Sequence, residues 1–444
     1  MKKIAFIALA LLLCFALVSC SGKKEAASSA PVSSADLENT AESGTLYYWS
    51  GFTGDSMTWD EWRVGEFAKL YPNIKVDMQS VPESAGINNG KLLSAIAAGT
   101  APDLIVADDY ISSFGFAGQG AFEAWDPYLD AIDLSIDSFM PGFKNLMVYN
   151  GKTYLLPQDS NVIMLYINTD MVAEAGLDIN NYPRTMDELN DWTARLTTTT
   201  SSGEVERYGY IPWLDSTDNP TFWPFWFGAE MYYPDTNKLD LVDQKVVDAL
   251  NWQREYARQY DPAKVRSFTQ AAGGLFSPDH PFFVKKVAMT VIGNWATNAL
   301  RIYAPTVNYT CVPVPVPPGG RVESTPLGSN VFAMPRGVKS PRLAATFFKF
   351  TQRAEINGDN FDIWRSIPCV DAVFDDVSWT KSGDPIYLME RKIANSPYSS
   401  HPALSSVSAQ LVTEMTALRD DVIYNNRDPK PLLQALQDKL QPEL

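Results

Sequence analysis

Hydrophobic and polar positions between residues 45 and 110 follow the pattern of strands that alternate with helices. Short apolar runs predict strands at residues 45–49, 74–79 and 104–107, and mixed apolar and polar runs predict helices at residues 59–70 and 91–98. This alternation indicates parallel α/β layering. Ligands of such sheets collect beyond the carboxyl ends of the strands, where residues 50–53 and 108–110 would lie.

The later part of the chain continues with helices and fewer strands. Helices are predicted at residues 185–196, 243–260, 343–351 and 429–440, and strands at residues 208–212 and 282–295. Thr185 and Glu188 have the spacing of a capping box, and Pro429 suits a helix start. A chain of 444 residues is too long for one core, so we expect two or more lobes.

The stretch GKTYLLPQDSNVIMLYIN, residues 151–168, is predicted to contain the point where the chain leaves one lobe and enters another. A strand-like run ends at Pro157, a polar patch follows at residues 158–161, and a second apolar run occupies residues 162–167. Pro157 has no N–H for a sheet ladder, so one strand is not expected to continue through it. The polar patch would lie at the lobe boundary, where pockets form. Two strands of one sheet joined by a turn are the alternative.

The N-terminus has the pattern of a bacterial export signal. Lys2 and Lys3 precede an apolar run over residues 4–18, which is too short for a comfortable membrane span and typical of a secretory signal. The run ends in Leu-Val-Ser-Cys, which resembles a lipobox with Cys20 as the lipid anchor. We expect a signal peptide over residues 1–19 and a lipid-anchored disordered tether over residues 20–43. A signal peptide with an incidental cysteine is the alternative.

Charge and residue counts exclude several classes of function. The formal net charge of −16 attracts neither nucleic acid nor an anionic membrane surface. Export permits a disulfide between Cys311 and Cys369, although two separately buried thiols explain them equally well. The two histidines, His280 and His401, are expected in loops or at the surface. Their number and spacing support neither a metal site nor a histidine-based triad, and no cofactor is expected.

Aromatic residues supply candidate ligand contacts. The run NPTFWPFWFG, residues 219–228, is dense in rings, and its prolines argue against a regular helix. Trp223 and Trp226 in this run either fill a core or, because loops lie at the surface, contact a ligand. The predicted strand at residues 282–295 ends in Gly-Asn-Trp. We expect its glycine to let the backbone turn sharply and project the indole of Trp295 from the strand end.

In their order, these landmarks resemble family 1 extracellular solute-binding proteins of bacterial ABC importers, in particular sugar-binding lipoproteins distantly related to maltose-binding protein. The blocks that carry the resemblance are YYWSGFTG, FAKLYPNIKV, LLSAIAAGTAPDLIVADDY, NGKTYLLP with LYINTDMVAEAGL, PRTMDELNDWTARLT, FVKKVAMTVIGNW, CVPVPVPPGG and FAMPRGVKSPRLAATFFKF. The resemblance implies a periplasmic-binding-protein-like α/β fold: two lobes, three crossovers and a ligand cleft. Lobe one would comprise residues 45–157 and 330–373, and lobe two residues 158–329 and 374–444.

The resemblance also implies a function and a site. The protein would be a monomer that captures a sugar or oligosaccharide by cleft closure and delivers it to the transmembrane subunits of an ABC permease. Indole rings would cover the C–H face of the sugar, and carboxylates, amides and an arginine would bind its hydroxyls. The candidate ligand-binding residues are Trp49, Asp108, Asp109, Tyr110, Asp159, Asn161, Trp223, Trp226, Asn294, Trp295, Trp364 and Arg365. Positions that are acidic in some maltodextrin binders are Ala107 and Asn161 here, so maltose itself is not implied.

Other interpretations stay open on the sequence alone. An exported carbohydrate-active enzyme could use two cleft carboxylates, such as Asp108 and Asp159, as acid and base. A surface adhesin or a chemoreceptor ligand carrier would share the fold. Asp108 and Asp109 could instead cap the following helix, Trp364 could be a core residue, and Asp159 could satisfy backbone groups at the crossover.

Overall fold

The computed structural model describes residues 32–82, 87–108, 110–357, 365–370, 373, 383–402 and 404–444. The predicted signal peptide, Cys20, Asp109 and Trp364 lie outside these residues. So does most of the segment near residues 371–385, where the resemblance implies the third crossover. None of the described helices combines the length and the apolar character that a membrane crossing requires.

Helices and strands alternate between residues 34 and 123, and groups of consecutive strands or consecutive helices follow. The strands are β1 (Gly44–Ser50), β2 (Ile74–Ser80), β3 (Leu104–Ala107), β4 (Phe122–Glu123), β5 (Val148–Tyr149), β6 (Lys152–Thr153), β7 (Leu156–Pro157), β8 (Ile163–Asn168), β9 (Thr198–Thr199), β10 (Val205–Arg207), β11 (Tyr232–Tyr233), β12 (Lys238–Leu239), β13 (Met289–Gly293), β14 (Tyr309–Val312) and β15 (Val331–Pro335). The α-helices are α1 (Ser34–Leu37), α2 (Met57–Leu70), α3 (Leu92–Ala98), α4 (Tyr110–Gly118), α5 (Lys144–Met147), α6 (Thr169–Glu174), α7 (Met186–Leu196), α8 (Phe222–Trp226), α9 (Gln244–Gln259), α10 (Pro262–Ala271), α11 (Ala296–Tyr303), α12 (Pro341–Thr351), α13 (Pro385–Ala394), α14 (Ser408–Tyr424) and α15 (Pro429–Leu440).

The first sheet has the strand order β2-β1-β3-β15-β4, and β7 pairs with β15. β1 runs parallel to β2 and β3, whereas β15 runs antiparallel to its neighbours. The strands predicted before residue 110 correspond to β1, β2 and β3, so those predictions are confirmed. Helices α2 and α12 share a core beside this sheet, where the ring of Phe67 contacts Phe347 and Phe350 edge to face.

The second sheet has the order β13-β8-β14, with both outer strands antiparallel to β8. Parallel layering is therefore confined to the first sheet. The predicted strand at residues 282–295 is shorter than expected, because only Met289–Gly293 pair with β8. The predicted strand at residues 208–212 is wrong: only Tyr208 makes a bridge, to Val287, so no ladder forms.

The residues after Pro157 connect the two sheets. Pro157 ends β7 opposite Val331 in the first sheet, and β8 begins at Ile163 in the second. The alternative of two strands in one sheet is therefore wrong. A second connection between the sheets runs from β14 to β15, between residues 312 and 331. The lobe boundaries drawn from the resemblance stay predictions.

The predicted disordered tether is wrong for residues 32–43. Ser33 and Asp36 form a capping box that starts α1, and Leu37 in this helix is fully buried. The Tyr71 hydroxyl donates to the Leu37 carbonyl at 3.3 Å. This short apolar anchor fixes the segment to the lobe, which its Ser/Ala/Glu-rich composition does not reveal.

The cysteines and histidines are buried. Cys311 and Cys369 are free thiols in separate places, so the disulfide alternative is wrong. Both histidines lie in loops, as expected, but neither is at the surface, because His280 is 1% and His401 8% exposed. Nε2 of His280 lies 2.8 Å from a carboxylate oxygen of Asp215, which supplies the polar partner that a buried imidazole needs.

Candidate ligand-binding site

Loops at the end of the first sheet bring polar side chains together. Because β1 and β3 are parallel, the loop with Phe52 starts beside the end of β3, where the Gly51 N–H donates to the Val106 carbonyl at 2.9 Å. β15 is antiparallel to β3, with Val331 opposite Ala107. Residue 330, which precedes β15, therefore lies beside residue 108, which follows β3.

The end of the second sheet faces this edge. Gly293 at the end of β13 pairs with Ile163 at the start of β8. Antiparallel pairing thus places Trp295, two residues after β13, next to Asn161, two residues before β8. The Asn294 N–H donates to the Val162 carbonyl at 2.9 Å and holds the two ends together.

A cavity of about 280 Å³ lies where these two edges meet. Its lining residues are Phe52, Ser56, Asp108, Asn161, Phe276, Trp295 and Asn330. Carboxylate, amide and hydroxyl groups come from the first sheet and the crossover, and two aromatic rings, Phe276 and Trp295, come from the side of the second sheet. Larger hollows exist, such as one of about 380 Å³ beside Lys264, but that one is lined by elements of the second lobe alone.

Trp295 lies over Gly293. A Cβ atom on Gly293 would be only 2.0 Å from Cζ3 and 2.2 Å from Cη2 of the indole. The backbone of Gly293 does not have the positive φ that favours glycine. Contrary to the expectation from the sequence, glycine is therefore not required here for a sharp backbone turn. It is required because the Trp295 ring occupies the space that a side chain at residue 293 would need.

Asp159 does not reach the cavity and is completely buried. Its carboxylate accepts hydrogen bonds from the Asn330 backbone N–H at 3.0 Å and from Asn330 Nδ2 at 2.8 Å. Burial raises the pKa of the Asp159 carboxyl, and the two hydrogen bonds from Asn330 oppose that rise. In this structure the Asp159 side chain holds the chain beside the crossover and does not line the cavity, so direct ligand contact stays a prediction without support from the cavity lining.

Asn294 is also used internally. Its side chain is 1% exposed. Its Nδ2 donates to the Ser160 carbonyl at 3.0 Å, and its Oδ1 accepts the Val162 N–H at 3.3 Å. Both ends of the Asn294 amide thus satisfy backbone groups of the crossover, and the residue does not line the cavity.

Trp223 and Trp226 are core residues and do not line the cavity, which is the alternative that the sequence left open for them. They are 1% and 0% exposed and contact each other edge to face at 5.3 Å. Each indole N–H donates to a backbone carbonyl, Trp223 to Pro212 at 2.7 Å and Trp226 to Ser324 at 3.1 Å. The segment forms the one-turn helix α8 despite its prolines, because a helix of five residues needs few backbone donors.

Three other described candidates, Trp49, Tyr110 and Arg365, do not line the cavity. Trp49 is 8% exposed, with Nζ of Lys91 5.0 Å from its ring centroid. Tyr110 packs against His401, with ring centroids 4.7 Å apart. Arg365 donates to the Tyr387 hydroxyl at 3.4 Å. Asp109 and Trp364 lie outside the described residues.

Sequence reasoning missed four lining residues: Phe52, Ser56, Phe276 and Asn330. Phe52 lies within the loop after β1 that is expected near ligand, and Ser56 follows it. Asn330 lies in the segment GSNVFAMP, whose polar cluster beside an apolar strand repeats the character of the first crossover. Phe276 has no usable signal, because a lone phenylalanine in a loop is typical of many unrelated positions.

The profile of the bacterial extracellular solute-binding protein family matches residues 53–357. The match covers more than half of the chain, and the chain belongs to this family. Its fold is the two-lobed α/β fold of these proteins, as the resemblance predicted. The family consists of extracellular binding proteins, in agreement with the expectation of export.

Individual relatives are distant. The chain is 27% identical over 254 residues to a binding protein of Brucella abortus (strain 2308), which covers 56% of this chain and 57% of that protein. The chain therefore spans little more than half the length of this relative. It is 22% identical over 379 residues to the maltooligosaccharide ABC transporter solute-binding lipoprotein of Streptococcus pneumoniae serotype 4, covering 83% of this chain and 80% of that protein.

Among solved structures, a protein called CpMnBP1 with mannobiose bound is similar along almost its entire length. The TM-score is 0.79 at 28% identity, and the superposition covers 89% of this chain and 99% of that chain.

Proposed function

We propose that this protein is the substrate-binding component of an ABC importer and captures a neutral sugar or short oligosaccharide between its lobes. The observation that carries the proposal is the composition of the cavity. Trp295 and Phe276 supply rings from the side of the second sheet, Asp108 and Asn330 supply polar groups beside Phe52 from the side of the first sheet, and Asn161 adds an amide at the crossover. A sugar presents an apolar C–H face and an edge of hydroxyls, which such a pair of walls matches.

The charge of the lining residues favours a neutral ligand. Among the described residues that line the cavity, Asp108 carries a formal negative charge and none is basic. A phosphorylated ligand would normally be bound by lysine, arginine or a helix N-terminus. Hydroxyl groups, by contrast, hydrogen-bond to both carboxylates and amides.

The mechanism that follows is closure around the ligand. Groups on both sides of the cavity are needed to satisfy a sugar, so its binding favours the conformation in which the two edges approach each other. The closed form would then be delivered to the transmembrane subunits of the permease. We also propose that the protein is exported, anchored by lipid on Cys20, and monomeric.

Relatives support a carbohydrate over other neutral ligands. CpMnBP1 was solved with mannobiose, and the Streptococcus pneumoniae relative is named for maltooligosaccharides. Asp159 is buried away from the cavity, so Asp108 and Asp159 cannot flank a substrate as the acid and base of a hydrolase. The relatives named above are binding proteins, which agrees with a non-catalytic role.

A thermal-shift screen tests the proposal. The protein, from residue 21 onward, is heated with mannobiose, mannotriose, maltose, maltotriose or arabinotriose, and hits are measured by isothermal titration calorimetry. A sugar at about 100 times its Kd adds about 2.7 kcal/mol to the free energy of unfolding and raises the melting temperature. No shift and no heat with any of these sugars would reject the sugar proposal, and release of shorter products would favour the enzyme alternative.

A further inference from the structure

Asp159 and Asn330 form a buried pair beside the cavity. The Asp159 carboxylate accepts hydrogen bonds from the Asn330 N–H at 3.0 Å, from Asn330 Nδ2 at 2.8 Å and from the Ser329 hydroxyl at 3.4 Å. Asp159 is 0% and Asn330 5% exposed, and only Asn330 lines the cavity. Asp159 does not itself line the cavity, and Asn330 is its hydrogen-bond partner that does.

This arrangement fixes which end of the Asn330 amide faces the cavity. Both carboxylate oxygens act as acceptors here, Oδ1 from the Asn330 backbone N–H and Oδ2 from Asn330 Nδ2, and these hydrogen bonds oppose the rise in pKa that burial causes. An ionised carboxylate can only accept hydrogen bonds. The amide nitrogen of Asn330 must then point to Asp159, and its Oδ1 must point away. Oδ1 has no hydrogen-bond partner among the described residues. Because Asn330 is a lining residue, the oxygen is an acceptor that a ligand can use.

We propose that Asp159 is a positioning residue that orients Asn330 so that its Oδ1 accepts a hydrogen bond from a ligand hydroxyl. The inference rests on the proposed function and adds a specificity rule: the ligand carries a donor, not only an acceptor, at this point of the cavity. A sugar that lacks the hydroxyl leaves a desolvated acceptor unpaired and binds more weakly.

The surrounding chain holds the pair rigidly. The Gln158 N–H donates to the Asn330 carbonyl at 2.9 Å, which ties the crossover to the start of β15. The Gln158 side-chain oxygen accepts from the guanidinium of Arg63. Arg63 is itself fully buried in α2 and paired with Asp60. Hydrogen bonds of Gln158 with Arg63 and Asn330 therefore fix the backbone that carries the Asp159 carboxylate.

Calorimetry with mannobiose and maltotriose on the wild type and its variants tests the inference. In Asp159→Asn the new amide side chain can donate as well as accept a hydrogen bond. The Asn330 amide can then rotate and exchange its Oδ1 and Nδ2, so we expect the sugar to bind about tenfold more weakly. Asn330→Asp places two carboxylates together and should bind at least as weakly. The double variant Asp159→Asn/Asn330→Asp restores a donor facing a carboxylate and keeps an acceptor toward the ligand. We expect it to recover affinity to within about threefold of the wild type.

Melting temperatures separate orientation from stability. If Asp159→Asn is folded and binds as tightly as the wild type, or the double variant is folded and no better than the weaker single variant, the inference is wrong. If Asp159→Asn does not fold, Asn330→Ala decides, because it removes the acceptor and must lose about tenfold in affinity. Wild-type protein that binds neither sugar instead counts against the choice of ligand in the proposed function, so the two failures are distinguishable.

Discussion

At the scale of single residues, the position of the Trp295 indole beside the cavity depends on Gly293, because the ring lies directly over this glycine. Trp295 covers Gly293 so closely that the ring fills the volume a Cβ would need. The ring also packs against the hydrophobic core of the second lobe. One face is therefore supported by protein, and the ring borders the cavity, which is the geometry that stacking on a sugar requires.

Replacing Trp295 by alanine should weaken sugar binding by at least about tenfold, or about 1.4 kcal/mol, because the ring face is lost. Calorimetry with the best sugar of the screen measures the change. Tyr233→Ala is the control, since Tyr233 is an exposed aromatic residue of the second lobe that does not line the cavity. Wild-type affinity in a folded Trp295→Ala protein would remove this residue from the site.

Replacing Gly293 by alanine should displace the ring without deleting it. The added Cβ would lie 2.0 Å from the indole, far below contact distance, so Trp295 must move. We expect an affinity loss that approaches that of Trp295→Ala, together with a changed tryptophan emission spectrum. Gly274→Ala is the matched control, because a Cβ added there would meet nothing within 4 Å beyond its chain neighbours. Equal affinities of the two variants would show that the position of the ring does not matter.

Residue identity alone separates these roles poorly. Trp223, Trp226 and Trp295 are the same amino acid near prolines or glycines, yet two are core residues and one borders the cavity. The sequence places Asp159 and Asn294 near the cleft, but their side chains point to groups of the crossover and of the start of β15. Burial depends on which distant strand packs against a segment, and no local pattern contains that information.

At the scale of elements, α8 shows how prolines are accommodated. Pro224 lies at the third position of a five-residue helix, where a backbone N–H would have no intrahelical partner. The helix can therefore bury its rings against α9, where Trp252 contacts Trp223 at 4.5 Å. This aromatic cluster stabilises the second lobe instead of binding a ligand.

Trp226→Ala should consequently reduce stability and leave affinity almost unchanged. Truncation of a fully buried tryptophan typically costs about 3–5 kcal/mol. Urea denaturation at 25 °C measures the loss, and calorimetry on the protein that remains folded measures affinity. Trp295→Ala, which affects a half-buried ring, should show the opposite pattern. A tenfold weaker affinity of Trp226→Ala with unchanged stability would contradict the assignment of Trp226 to the core.

Local patterns predict most elements of the first sheet. β1, β2 and β3 and the helices between them have clear periodicity and end at turn residues, and the capping box of Thr185 and Glu188 starts α7 as expected. The antiparallel second sheet is not predictable in this way. Its strands are separated by more than a hundred residues, from β8 to β13, and their direction follows from how the chain returns between the lobes.

At the scale of the whole molecule, we expect the buried His401 to make the stability of the protein depend on pH. Its ring packs between Tyr110 and Phe143, with centroids 4.7 Å and 6.4 Å away. Neither ring nitrogen has a hydrogen-bond partner among the described residues. Burial in these surroundings lowers the pKa of the His401 imidazole to about 3, because a charged ring would lose its hydration.

Acid should therefore destabilise the wild type more than His401→Phe. The unfolded chain binds a proton at this residue below about pH 6.5, whereas the folded chain does so only near pH 3. Stability from the neutral ring is complete above pH 6.5 and is lost as the pH falls, by up to about 1.4 kcal/mol per pH unit. Urea denaturation from pH 8 to pH 4 measures both proteins. Other acid-sensitive groups are the same in both proteins and cancel in the difference between their free energies of unfolding. This difference should be constant above pH 7 and should change in favour of the variant below pH 6. If the free energies of the two proteins fell in parallel over the whole range, the pKa of the His401 imidazole would not be lowered in the folded protein.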